Sequence, residues 1–259
     1  MSDDLTSAGL DRRRLLSAIA VGGGGLLLTA CDRINASPSV QKLLGAGNDL
    51  TFGAQRLVTA RDALAPEFSA AEMSPVFRTN GNTLPASPEY QAHAAAHFAD
   101  WRLVVDGAVN RPMKLSMAQI RAAPRRTQIT RHDCVEGWSA IGQWTGLPLG
   151  LLLKQAQLRH DARYIVFHCA DTFGSTPYYE SIDLIDAFHP QTILAWGMNG
   201  QTLSVGHGAP LRLRAERKLG YKLAKFVMRV EAVPDLRAVQ GGKGGYWEDA
   251  IGYQWFAGI

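Results

Sequence analysis

Cys134 stands in the run Arg131-His132-Asp133-Cys134-Val135-Glu136-Gly137-Trp138-Ser139, where a thiol, an imidazole and two carboxylates crowd into nine positions. A cysteine in such company has two chemistries open to it. As a thiolate it is a soft, strongly donating metal ligand; beside a base such as His132 or His207 it is a nucleophile. The three cysteines, 31, 134 and 169, form no C-x-x-C pair, no zinc spacing and no haem-attachment motif, although Cys134 and Cys169 are free to pair in an oxidising compartment. His93 and His97 sit four apart, as two ligands on one helix face would. No general-base glutamate in an H-E-x-x-H pattern accompanies them, and they read as surface residues. Basic residues gather late in the chain at Lys218, Lys222 and Lys225, which points to a local anion site and not to a nucleic-acid surface.

Three further segments belong with the Cys134 run, which continues into Trp144-Thr145-Gly146-Leu147-Pro148. They are His189-Pro190 ahead of Gly197-Met198-Asn199-Gly200, then His207-Gly208-Ala209-Pro210-Leu211-Arg212, then Lys218-Leu219-Gly220-Tyr221-Lys222-Leu223-Ala224-Lys225. In order, spacing and residue type these four segments resemble the molybdopterin-binding domain of the sulfite oxidase superfamily. Within it they are most similar to the catalytic subunits of periplasmic methionine sulfoxide reductases. The resemblance runs over about residues 76 to 235.

That resemblance implies molybdenum held by molybdopterin, with two sulfurs from the pterin and one from the protein, and it puts Cys134 at the protein's metal-ligand position. It places Arg212 and His207 at pterin-binding positions, and Leu223, Ala224 and Lys225 where the phosphate is held. Asn80, in Phe77-Arg78-Thr79-Asn80-Gly81, resembles an early pterin contact. Cys169 stands where relatives carry a threonine. The resemblance makes Cys134, Glu136 and His132 the catalytic candidates, with His132 either a general acid or a structural neighbour of the metal.

Sulfite oxidases follow the metal cysteine with arginines that hold an anion. Here Glu136 and Trp138 follow it, a carboxylate and an apolar ring that favour a neutral substrate such as a sulfoxide. Little chain remains after Val233 for the dimerisation domain of sulfite oxidases. Conversely, the stretch from Arg217 to Tyr221 lacks the aromatic run of methionine sulfoxide reductases. The expected reaction is oxygen-atom transfer, such as sulfoxide reduction. Alternatives are sulfite-type oxidation with the same cofactor, a cysteine-nucleophile enzyme and a non-catalytic binding lipoprotein. Without a haem motif in the chain, an external electron partner is implied, either a membrane haem protein or a cytochrome.

The elements that must carry these residues read as α+β: a mixed β-sheet with short helices, and no G-x-G-x-x-G for a dinucleotide fold. Strands are expected at Trp101 to Asp106, Gln128 to Arg131, Tyr164 to Cys169, Leu211 to Arg214 and Lys225 to Val233. Asn199-Gly200 marks a hairpin between Thr192–Trp196 and Thr202–Val205. Ser116 caps a helix over Met117 to Ala123, Pro148 opens one through Leu158, and Ser181 is expected to cap one over Ile182 to Phe188.

At 259 residues and 46% hydrophobic content, with a formal charge of +4, the chain has ample material for a globular core. Residues 1–30 read as a signal. Arg12, Arg13 and Arg14 precede an apolar run to Ala30 that is short of the roughly twenty residues of a membrane span, as in twin-arginine export. Leu28-Thr29-Ala30-Cys31 resembles a lipobox, and Asp32 resembles an inner-membrane retention signal. Residues 31–75 read as a tether or N-terminal arm, and 76–259 as the oxidoreductase domain. The expected location is the periplasm, with membrane attachment only through the lipid.

Overall fold

The computed structural model describes residues 37–259; the arginine signal and Cys31 lie outside them. The chain divides into two units at Ala54 and Gln55. Helix α1 (Pro38–Val58) begins in the first and buries none of its side chains. Among the described residues no helix is long and apolar enough to cross a membrane.

The second unit is built on two sheets. In the first, β1 (Arg102–Gly107) pairs antiparallel with β2 (Met113–Ser116) and parallel with β10 (Val227–Val233). Beyond β10 come β5 (Tyr164–Phe173) and β6 (Thr176–Asp183), giving the order β2-β1-β10-β5-β6. In the second, β3 (Arg126–Asp133), β4 (Ser139–Pro148), β7 (Ile193–Met198) and β8 (Gln201–Thr202) run in that order, with β9 (Arg212–Arg214) also pairing antiparallel with β7. One parallel pairing among antiparallel ones makes the first sheet mixed, and short helices accompany both sheets, so the fold is α+β.

Both sheets contribute to one core. Leu103, Ile165, Phe167 and Val230 of the first pack in a cluster with Leu147, Leu194 and Leu213 of the second. Helix α4 (Leu149–Ala156) joins it through Leu149, Leu152, Leu153 and Ala156, the single stripe that a 3.6-residue period delivers. Pro148 takes the position before the first turn, and Gln157 ends the helix in the left-handed conformation (φ 55°). The remaining helices are α2 (Pro88–Ala95), α3 (Met117–Ala122), α5 (Leu184–Ala187) and α6 (Tyr246–Ile251). Ser116 caps α3 in a reciprocal box with Gln119. Asn199 and Gly200, both at positive φ, make the tight turn of the β7–β8 hairpin.

One local expectation is corrected. Ser181 and Ile182 belong to β6, and it is Asp183 that caps the short helix α5 by accepting from the Asp186 N–H. The polar pair Glu180-Ser181 disguises this strand, because tertiary partners and not solvent satisfy it: Trp255 Nε1 donates to Ser181 Oγ at 2.8 Å. His93 and His97, read as surface residues, share no helix face. α2 ends at Ala95 and His97 turns left-handed (φ 49°).

Residues before the domain also pack on it. Phe68 N–H donates to Ile129 O, and Arg56 joins a buried cluster around Asp186, whose carboxylate also meets Lys218 at 2.8 Å and Arg217 at 3.0 Å. Burial works to raise the Asp186 pKa, but Lys218 and Arg56 outweigh it and bring it from 3.8 to about 2. A depressed carboxylate contributes stability that is complete above its unfolded pKa and is lost as pH falls toward the folded one. Unfolding free energy is therefore expected to drop by about 2 kcal/mol between pH 4 and pH 2 from this residue. Asp186→Asn, less stable at pH 7, should show a flatter slope in urea melts across that window; parallel slopes would contradict the assignment.

Candidate active site

β3 delivers its last residues to one end of the second sheet, and the turn that follows exposes Cys134 to a cavity. Cys134 N–H donates to Trp138 O at 2.9 Å and Gly137 N–H to Cys134 O at 3.1 Å, closing the loop to β4. Asp133 braces the mouth of this hairpin, accepting from Ser139 Oγ at 2.5 Å and Arg131 Nε at 3.0 Å. Burial pushes the Cys134 thiol pKa up, and Glu136 adds to that, while the backbone N–H groups of Glu136 and Val135 stabilise the thiolate against both. Glu136 itself is exposed and accepts from Trp138 Nε1 at 2.9 Å.

The cavity encloses about 260 Å³. Cys134, Val135 and Glu136 form one wall and the loop Asn80-Gly81-Asn82 another. Lys225 pins that loop: its Nζ donates to Asn80 O at 2.6 Å, Asn82 O at 2.5 Å and Gly206 O at 3.0 Å. Burial and then Arg212 lower the Lys225 ammonium to about 7. Much of the remaining lining is aromatic: Phe173, Tyr178, Tyr221, Trp247 and Tyr253. Asp171 also faces the cavity. It is buried, accepts from Asn82 Nδ2 at 3.0 Å and leaves Oδ1 without a partner; burial raises its pKa, with Asn82 opposing.

Behind Cys134 lies a cationic layer. Arg212 is 1% exposed, and its guanidinium lies 4.9 Å over the Trp144 ring. It donates to His207 O at 3.0 Å and Leu223 O at 3.5 Å, and its Nε has no partner. No carboxylate ion-pairs with it among the described residues. Burial and then Arg214 bring it down to about 9. Arg214, over the same ring at 4.4 Å, is paired with Glu216 and donates to His132 Nδ1 at 3.2 Å. His132 is driven down to about 2 by burial, then by Arg214, Arg212 and Lys225, so the ring is neutral. Its Nε2 is buried without a partner.

Of the residues named from sequence, Cys134, Glu136, Asn80, Leu223 and Lys225 meet on one cavity. Arg212 joins them from behind through Leu223 O. Ala224 is buried and its carbonyl accepts from Leu213 N–H. His207 is tied to Ser204 Oγ at 2.9 Å and Phe77 O at 3.2 Å and does not line the cavity. His132 lies in the wall behind it, packed on Phe77 and Trp138. Cys169 faces a different cavity, with Tyr90, Trp101 and Met228. Sequence reasoning missed Asp171, Tyr178, Trp247 and Tyr253. The aromatic cluster at Tyr246-Trp247 and Tyr253, far from the cysteine in sequence, was the available signal for the last two.

The described residues hold no cluster of three histidines, cysteines or carboxylates able to bind a metal. A metal at Cys134 would need its other ligands from a cofactor. The unpaired buried Arg212 and the carbonyl-bound Lys225 supply positive charge that an anionic cofactor would compensate, so the donor set fits a phosphate-bearing metal ligand.

Comparison with known proteins decides the family. The model described as "Oxidoreductase molybdopterin binding domain" matches residues 90–238. The chain belongs to this family. It is therefore an oxidoreductase with a molybdenum–molybdopterin cofactor. The chain is 37% identical over 247 residues to a protein of Azospira oryzae named "Putative protein-methionine-sulfoxide reductase subunit YedZ1", covering 95% of this chain and 87% of that one. It is 29% identical over 240 residues to the protein-methionine-sulfoxide reductase catalytic subunit MsrP of Ralstonia nicotianae, covering 86% of this chain and 68% of that one. Among solved structures, the sulfane dehydrogenase SoxCD of Paracoccus pantotrophus aligns with a TM-score of 0.48 at 22% identity, over 53% of this chain and 39% of that one.

Proposed function

We propose that this molybdopterin oxidoreductase reduces a sulfoxide, with Cys134 as the protein's ligand to molybdenum. The cavity lining carries the reading: Cys134, the aromatic rings of Phe173, Tyr178, Tyr221, Trp247 and Tyr253, and the carboxylate of Glu136 line one cavity. Aromatic faces suit a polarizable sulfur, and a carboxylate repels an anion such as sulfite. The names of the relatives from Azospira oryzae and Ralstonia nicotianae support it. When bound, the cofactor supplies the two-electron oxygen-atom chemistry. The chain does the rest. Arg212 and Lys225 hold the anionic end, Asn80 and the Leu223–Lys225 backbone orient it, and neutral His132 positions the turn that carries Cys134. His207 holds Phe77 O and the Arg212 contact in place, and Cys169 supports the strand behind.

In this reading electrons arrive from an external haem protein, in the membrane or soluble. The chain is exported through its Arg12-Arg13-Arg14 signal, lipidated at Cys31 and held at the periplasmic face of the inner membrane. The assay that separates substrates uses molybdenum-loaded enzyme. Methionine sulfoxide should oxidise reduced methyl viologen, and sulfite should give no reduction of ferricyanide. The opposite pattern would establish sulfite-type oxidation, and turnover by metal-free protein would establish a thiol enzyme.

A further inference from the structure

Tyr178 joins the Cys134 cavity to a buried charge cluster that none of the roles above employs. Two residues apart on β6, Tyr178 and Glu180 point to the same face. The Tyr178 hydroxyl donates to Tyr221 O at 2.7 Å and lies 3.4 Å from Glu180 Oε1. Behind Glu180, Lys222 Nζ is 2.6 Å from Glu180 Oε2 and 2.5 Å from Glu248 Oε1. The three side chains are 0%, 0% and 1% exposed.

One ammonium thus faces two carboxyl groups in a site without water contact. If both were ionised the interior would carry a net negative charge, which desolvation makes very costly. Two carboxyls sharing one cation hold a proton between them. The geometry has room for it. Glu248 Oε2 is buried without a hydrogen-bond partner. Both Oε2 atoms face Gly245, where any side chain would strike them. Burial, and then Glu248, push the Glu180 carboxyl well above its ordinary range against the pull of Lys222. The other titratable groups around the path are Asp171 and Cys169 beside Tyr178, Tyr221 beside both glutamates, and Tyr179 with Asp249 on the far side.

We propose that the Glu180–Glu248 pair, held by Lys222, stores a proton for the Cys134 cavity and passes it through the Tyr178 hydroxyl. The inference rests on the sulfoxide-reductase reading. Converting R2S=O to R2S and water breaks the S–O bond, forms two O–H bonds and consumes two electrons and two protons. The electrons come from the external haem donor. For each proton, the oxygen leaving the substrate takes the Tyr178 hydroxyl hydrogen, which rotates away from Tyr221 O, as Oη takes the proton of Glu180; water in the emptied cavity returns a proton to the pair by the same route between turnovers.

The test uses molybdenum-loaded enzyme, methionine sulfoxide and reduced methyl viologen. Tyr178→Phe removes only the hydroxyl and should keep its circular dichroism and molybdenum content. Its kcat should fall by about 100-fold, the lower range of acid–base contributions. KM should stay within about twofold, as expected when a transition-state step alone is affected, and the solvent deuterium isotope effect on kcat should rise. Independently of turnover, wild-type infrared spectra should show a buried protonated-carboxyl C=O band, lost in Glu248→Gln. Wild-type kcat and isotope effect in Tyr178→Phe, with sulfoxide reduction intact, would overturn the relay alone. Absence of the band would overturn the shared proton. A wild-type enzyme that reduces no sulfoxide would overturn the parent reading and the relay with it.

Discussion

Cys134→Ser is expected to yield a folded, soluble domain whose Mo(V) electron-paramagnetic-resonance signal is lost or strongly altered. Cys134 is 9% exposed and lies in a turn fixed by backbone hydrogen bonds of its own and of Gly137, none of which needs the sulfur. Serine nearly preserves the volume, so the fold should survive. What changes is the donor: a polarizable thiolate becomes a poorly ionised hydroxyl. Sulfoxide reduction should drop by more than the roughly 10–100-fold that losing a partner behind a metal ligand costs. Cys169→Ser is the control. Its thiol faces a separate cavity and lies 3.8 Å from Phe167 O, so the signal should change little. Equal spectra for wild type and Cys134→Ser would remove Cys134 from the metal.

Arg212→Ala should purify with substoichiometric cofactor and also lose stability without it. The guanidinium fills the space over Trp144 and satisfies two carbonyls, His207 O five residues before it and Leu223 O eleven residues after it. Truncation leaves those acceptors buried, at about 1–3 kcal/mol each. Loss of a phosphate contact costs a further ~2–5 kcal/mol in cofactor affinity. Arg212→Lys should recover little, because an ammonium cannot reach both carbonyls and cover the indole face. Pterin fluorescence after oxidation, with molybdenum per chain, reads the first effect; melts of cofactor-free protein read the second. Full cofactor occupancy in Arg212→Ala would make the residue a structural strut.

What the sequence made legible divides along physical lines. The Asn199-Gly200 turn and the stripe from Leu149 to Ala156 were readable because local chemistry and periodicity determine them. β6 was not, because its solvent-like residues Glu180 and Ser181 find partners more than forty residues away in Lys222 and Gly244, beyond any local pattern. Asp171 and the aromatic wall escaped for the same reason: cavity membership depends on how β5, β6 and α6 converge. The aromatic surface missing between Arg217 and Tyr221 is supplied instead by Trp247 and Tyr253. Cys169, in register with Val227 on β10, is carried to another cavity by the fold.

Molybdenum K-edge X-ray absorption on the loaded enzyme tests the central claim most directly, since it counts the sulfurs around the metal without requiring turnover. The expected result is a molybdenum–sulfur shell in wild type that loses one thiolate in Cys134→Ser, with Cys169→Ser unchanged. A sulfur shell identical in wild type and Cys134→Ser would contradict it.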